Sequence, residues 1–120
     1  MESEETIVKS ICEFLSSKKA TDIKAFHVAD RTIIADWFII CSGKNETHVK
    51  SLSDEVDEYI SENLGITLKR SDGVQQARWI VMDYNTILLH IFHPEERSFY
   101  NLDRLWDFGD NQLMLDFSED

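Results

Sequence analysis

Any chemistry in this chain would have to come from a few side chains. His90 and His93 could ligate a metal, Cys41 or Ser42 could act as a nucleophile, and two short runs, Cys41 to Asn45 and Asp107-Phe108-Gly109, have the look of phosphate or magnesium holders. Each lacks its complement. The histidines are an odd number of residues apart in an apolar run read as a strand, which points them to opposite faces and denies them a shared zinc. A thiol inside an apolar strand has its pKa raised, and no neighbouring base activates the Ser42 hydroxyl. The Asp-Phe-Gly run comes without the glycine-rich loop, lysine strand and catalytic loop of a kinase, and the turn at 41–45 has one glycine where a phosphate loop needs a fixed pattern. No Asp-x-Asp pair offers the two carboxylates of magnesium-dependent phosphoryl transfer. The chain is therefore expected to carry no catalytic residue, metal or cofactor, and to act by binding.

Binding chemistry is concentrated between Arg78 and His93, "RWIVMDYNTILLHIFH". Two apolar runs meeting at a polar turn predict a β-hairpin. With Tyr84 and Asn85 as a two-residue turn, Asp83 opposes Thr86, Val81 opposes Leu88 and Trp79 opposes His90. The pleat then gathers Trp79, Val81, Asp83, Thr86, Leu88, His90 and Phe92 on one face. Ile80, Met82, Ile87, Leu89, Ile91 and, at the end, His93 take the other, which is the core. The first face mixes an indole, a carboxylate and an imidazole with aliphatics; it is too polar to be covered without partners and too apolar to be ordinary wet surface. Two readings follow. It is a protein interface, with aromatics as anchors and polar groups setting register; or Trp79 and His90 stack beneath the following helix, His90 donating to Asp83 or a carbonyl.

The hairpin needs a frame, and the remaining pattern supplies one. Ile7, Val8, Ile11, Phe14 and Leu15 at helical spacing, with Ser3 as cap and Glu4 and Glu5 in the first turn, predict a helix over about 4–18. Residues 23–30 alternate as a partly exposed strand, and the run from Trp37 to Cys41 is apolar on both alternations, as a central strand is. Asn45 caps a helix over about 46–64 that stops at Gly65. Residues 66–70 are a candidate strand, which makes 37–70 a strand-helix-strand unit, and 71–76 a polar loop. Pro94 opens a third helix over about 94–106, with Glu95 and Glu96 in its first turn and Phe99, Leu102, Leu105 and Trp106 below. Residues 1–106 read as a single domain and 107–120 as an acidic extension, an ordered stub with a frayed end.

Composition narrows the partner. Apolar residues are 42% of the 120, enough for one packed core. Twelve Lys and Arg against 23 Asp and Glu give a net charge of −11, and the cations are scattered. Such a chain repels a phosphate backbone, so direct DNA binding is disfavoured and a basic protein surface is the natural partner. Cys12 and Cys41 lie in apolar runs, as reduced buried thiols do. An acidic N-terminus and the lack of any ~20-residue apolar run predict a cytosolic protein without a membrane span.

Three separated blocks carry a family resemblance: "ADWFIICSGKNETHVKSLSDEV", "GVQQARWIVMDYNTILLHIF" and "HPEERSFYNLDRLW". In order and spacing they resemble the ribosomal silencing factors, the RsfS or Iojap family, over roughly residues 4–106. The match includes Asp36, the Ser42–Gly43 turn, Trp79, Asp83, Tyr84, His90, Tyr100, Leu102, Arg104, Leu105 and Trp106. Asn85 stands where the family more often has glycine, and the long acidic tail is atypical. The resemblance implies an α/β (α+β) fold: a mixed β-sheet of about five strands flanked by helices, like a nucleotidyltransferase core without its catalytic carboxylates. It implies binding to the large ribosomal subunit through its fourteenth protein, so that the small subunit is sterically excluded and translation damped, with a role in ribosome assembly for organellar relatives. It also implies a homodimer. Expected partner contacts are Trp79, Asp83, Tyr84 and His90, with Glu95 and Glu96 as an acidic rim and Arg97 and Tyr100 from the closing block. Arg97 and Arg104 could instead pair with acids on their own helix. A nucleotide-using transferase and a generic dimeric adaptor are the competing functions.

Overall fold

The computed structural model describes residues 3–115 and 117. Helix α1 (Glu4–Ser17) begins where the Ser3 side chain accepts from the Thr6 N–H, and it buries the stripe Val8, Ile11, Cys12 and Leu15. Strands β1 (Thr21–His27) and β2 (Trp37–Ser42) follow, and every residue of β2 is buried. Helix α2 (Glu46–Leu64) starts at Asn45, whose side chain accepts from His48 N–H, and ends at Gly65 with φ 67°. The chain continues through β3 (Arg70–Asp72), β4 (Trp79–Asp83), β5 (Ile87–Phe92), α3 (Pro94–Tyr100) and α4 (Leu102–Trp106).

The strands form one mixed sheet in the order β1-β2-β5-β4-β3, with β2 and β5 parallel and the other neighbours antiparallel. This is the expected mixed five-stranded sheet flanked by helices. One face packs Ile39, Cys41, Ile80, Leu89 and Ile91 against α1 and α2 through residues such as Val8, Leu15, Leu52 and Val56. The other holds a separate cluster of Phe26, Phe38, Ile40 and Phe92, roofed by Trp79, Leu88, Leu102 and Trp106. Leu102 and Trp106 of this roof come from α4, so the last helix covers part of the hairpin's second face.

Three expectations change. The hairpin turn moves one residue along, to Asn85-Thr86 closed by the Tyr84 N–H donating to the Ile87 carbonyl at 2.9 Å, and the pairing is Trp79 with Phe92, Val81 with His90 and Asp83 with Leu88. The Asp83 carboxylate accepts from the Asn85 N–H at 2.8 Å and Asn85 takes φ 78°, a left-handed conformation that asparagine tolerates. The slip is two residues in register, so the predicted sorting of side chains between faces survives. The strand after α2 forms at Arg70–Asp72 and not at 66–70, because β4 ends at Asp83, opposite Arg70, leaving Ile66 and Leu68 no strand to face. The third helix is two helices, broken at Asn101 (φ 48°), so Phe99 and Leu105 point to solvent and not inward. In the tail, Gln112 bridges to Phe26, and Leu113, Leu115 and Phe117 pack on the α1 side of the core. The frayed end falls on 116 and 118–120, outside the described residues.

Two glycines should separate conformational from steric cost. Gly65 sits at positive φ with open space around it, whereas a Cβ on Gly73 (φ 83°) would lie 2.1 Å from the Trp79 carbonyl oxygen. In urea denaturation Gly65→Ala is expected to cost about 1 kcal/mol, and Gly73→Ala about 3 kcal/mol or more, because the start of β4 must move.

Candidate functional site

Trp79 lies on β4, on the sheet face away from α1 and α2, and a stack of rings runs from it in both directions. Inward, the indole stacks on Phe92 at 4.9 Å and its Nε1–H donates to His90 Nδ1 at 3.1 Å. Outward, Tyr100 tilts over it at 4.8 Å, and Phe99 meets Tyr100 edge-on at 5.0 Å. Phe99 is 80% exposed and Tyr100 49%, so the stack leads from solvent to the centre of the sheet. Inner rings fix the outer ones, which gives surface aromatics with few rotamers left to freeze.

His90 is the foot of this stack and is 5% exposed. Because Nδ1 accepts the indole proton, the ring's own proton sits on Nε2, a buried donor with no hydrogen-bond partner; the Phe38 ring stands edge-on at 5.3 Å. Burial pushes the imidazole down to about 4, so the ring is neutral near pH 7. His90 neither carries charge to a partner nor donates to Asp83; it holds the indole. This arrangement is close to the second reading of the hairpin for His90, while the outer end of the stack stands open to solvent.

The other expected contacts divide. Tyr84 is 4% exposed and faces α2, its hydroxyl donating to the Asp57 carboxylate at 2.8 Å; burial, then that carboxylate, pushes the phenol up. Buried so, it offers a partner nothing. Asp83 closes the hairpin loop and lies 3.6 Å from Arg70. Glu95 and Glu96 share Arg78, which donates to each at 2.7 Å, with Glu46 at 3.8 Å. The hydrogen bond from Arg78 holds the Glu95 carboxyl below its usual range while its other side stays open to solvent. Arg97 is buried. It grips Asp103 through Nε at 2.8 Å and Nη2 at 2.7 Å, reaches the Ser42 hydroxyl at 2.9 Å, and donates to the Asp22 carbonyl at 2.6 Å. Burial opposes ionisation of Asp103, but Arg97, helped by Lys24, outweighs it and keeps the carboxyl low.

The sequence pattern gives Arg78 no role and turns Phe99 inward, and the structure differs at both. Their signals were faint: a lone arginine before a strand, and a ring one position from Tyr100 in a helix whose break at Asn101 rotates the face. The groups first suspected of chemistry are occupied otherwise. Cys41 is fully buried and pushed up to about 12, and Cys12 is raised likewise by burial. His93 is not in the strand; it caps α3, accepting from the Glu95 N–H at 3.1 Å. Among the described residues His93, Glu95 and Glu96 bring ligand-type atoms within 4.8 Å of one another, but both carboxylates already pair with Arg78. No described helix is long and apolar enough to cross a membrane.

Comparison with known proteins agrees with this architecture. A family model described as ribosomal silencing factor during starvation matches residues 1–119. The chain is 35% identical over 118 residues to the ribosomal silencing factor RsfS of Bacillus subtilis, covering 92% of this chain and 99% of that one. It is 34% identical over 104 residues to the protein of that name from Halalkalibacterium halodurans, covering 87% and 88%. A crystal structure from Bacillus halodurans superposes with a TM-score of 0.74 at 30% identity, covering 95% of this chain and all of that one.

Two stability measurements check the geometry. His90 binds a proton less readily folded than unfolded, so between about pH 6.5 and 4 the unfolded state holds more protons and stability falls as pH falls. The expected loss from this group is about 3 kcal/mol, and His90→Leu should flatten that part of the pH profile, read by urea denaturation. Arg97→Ala should cost about 3 kcal/mol by leaving Ser42 without its partner and half-buried Asp103 with only Lys24, read in the same way.

Proposed function

The chain belongs to the RsfS family of ribosomal silencing factors, and from that premise we propose that it docks on the large ribosomal subunit through its fourteenth protein and blocks joining of the small subunit. The docking face in this reading is the outer end of the ring stack, Phe99, Tyr100 and the edge of Trp79, with Glu95 on its rim. The observation that carries it is this exposed aromatic pair seated on a fixed indole, since rigid aromatics beside acids are what a protein interface uses for anchoring. The net charge of −11 supports the choice of partner: it draws the chain to a basic ribosomal protein and away from bare RNA. Silencing then needs no catalysis. A standard interface of ~1,600 Å² holds the domain in place, and its volume excludes the other subunit. The place of action is the cytoplasm, where ribosomal subunits meet.

Co-sedimentation with purified large subunits tests this. Wild-type chain should pellet with them at modest salt, and Phe99→Ala with Tyr100→Ala should weaken binding roughly 30-fold or more with the circular dichroism spectrum unchanged. Tyr84→Phe should bind as wild type, because that hydroxyl faces α2. A wild-type chain that stays in the supernatant would overturn the proposal.

A further inference from the structure

The two outer strands of the sheet are β1 and β3, and they are finished differently. Along β1 the edge is bent by a register shift between Thr21 and Lys24 and partly closed where Gln112 bridges to Phe26. Strand β3 carries no such cover. Arg70, Ser71 and Asp72 are all exposed, and among the described residues they pair with β4 alone. Lys69 N–H donates to the Asp83 carbonyl at 2.8 Å, which keeps the residue before β3 alongside β4 and lengthens the edge. The outer row of N–H and C=O groups is open to one more strand.

Beside this edge, on the α2 side of the sheet, runs a groove of about 220 Å³. Buried Ile80 and Met82 form its bottom, partly buried Leu68 and Val74 its sides, and Asp54 and Asp57 its wall on α2. Ser71 opposes Met82 in the ladder, so its side chain turns to the same face and lines the groove from the edge. The volume is below the roughly 300–1,000 Å³ of small-molecule pockets, which suits an inserted side chain and not a free ligand. The lining selects that side chain. Its apolar part takes a long alkyl stem, and the two carboxylates take a cation at the end of the stem. Asp54 has only Lys50 at 3.9 Å, in a pair whose side chains are both more than half exposed, and Asp57 gives one oxygen to the Tyr84 hydroxyl. Among the described residues no Lys or Arg lines the groove.

We infer that the β3 edge and this groove are one docking surface, whose occupant is an extended segment of another protein, added beside β3 with a Lys or Arg side chain inserted towards Asp54 and Asp57. Main-chain bonds along the edge hold a segment of any sequence, and the groove chooses the residue. The shortness of the edge fits this division: a strand of three residues holds a chain too weakly by backbone bonds alone, so a segment without the cation is not retained. The charge of −11 draws a basic segment in. Trp79, Tyr100 and Phe99 lie on the opposite face of the sheet, so this surface is separate from the one proposed above for the large subunit.

The test adds to the full chain a labelled synthetic peptide of about seven residues, with blocked ends, in which Thr and Val alternate around one central Lys. Binding is read by fluorescence anisotropy, and its place by amide exchange of the chain. Expected is saturable binding with slowed exchange within residues 70–72. It should weaken about tenfold or more when the peptide's Lys is replaced by Glu, when Asp54→Lys reverses the wall, and when Ser71→Trp fills the groove. Phe99→Ala with Tyr100→Ala should bind the peptide as wild type, so a failure of ribosome docking and a failure of this inference are read separately. The inference is overturned if neither the Lys peptide nor its Arg counterpart binds saturably at millimolar concentration, if binding ignores Asp54→Lys and Ser71→Trp, or if residues 70–72 stay unprotected in the complex. Exchange within 70–72 that slows with rising concentration of the chain alone gives the edge to a second copy and overturns it too. Should circular dichroism find Ser71→Trp unfolded, Asp54→Lys, on the exposed side of α2, carries the same readings.

Discussion

The buried grip of Arg97 on Asp103 decides what this protein presents to the outside. One guanidinium joins α3 to α4, reaches into the central strand at Ser42, and ties down the backbone at Asp22. A buried charge tolerates that position only because its donors are engaged by a carboxylate, a hydroxyl and a carbonyl. The helix break at Asn101 makes the geometry possible, since a continuous helix would carry Asp103 past the fork. With both helices fixed, Leu102 and Trp106 close the second hydrophobic cluster and Tyr100 comes to rest on Trp79. Ion pair, ring stack and exposed aromatics are thus one assembly.

That assembly explains why the hairpin mixes polar and apolar groups. The indole needs an acceptor when its ring is packed, the imidazole supplies one, and burial keeps the imidazole neutral so that it can. What looked in isolation like three functional side chains is one outward aromatic, one support for it, and one loop-closing carboxylate. The acidic groups contribute by number and by position. Glu95 and Glu96 are partly spent on Arg78, and the long-range field comes from the whole surface.

Much of the fold could be read in advance where local chemistry and global packing agree. Ser3 and Asn45 as caps, Gly65 as a stop, and the doubly apolar run of β2 all stand where their residue types place them. The hairpin's faces were legible because a two-residue slip preserves parity, although its turn was not, since a carboxylate-to-amide bond and a left-handed asparagine move it one residue along, to Asn85-Thr86. The site was harder for a reason of scale. Whether Tyr84 faces a partner or Asp57 depends on where α2 lies, and whether Phe99 is inside depends on a break that Arg97 stabilises from a distance. Neither is encoded in a short window of residues.

The parallel pairing of β2 with β5 carries a kinetic consequence. Trp37 meets Ile87, so the centre of the sheet joins the first third of the chain to the last, with the whole of α2 and the β3–β4 unit lying between. Closing so long a loop must precede the burial that rewards it, which slows folding. A nascent chain emerging from a ribosome would therefore hold one edge of its apolar β2 open, the other being taken by β1, until β5 is also synthesised, making completion of folding an event of the released, or nearly released, polypeptide.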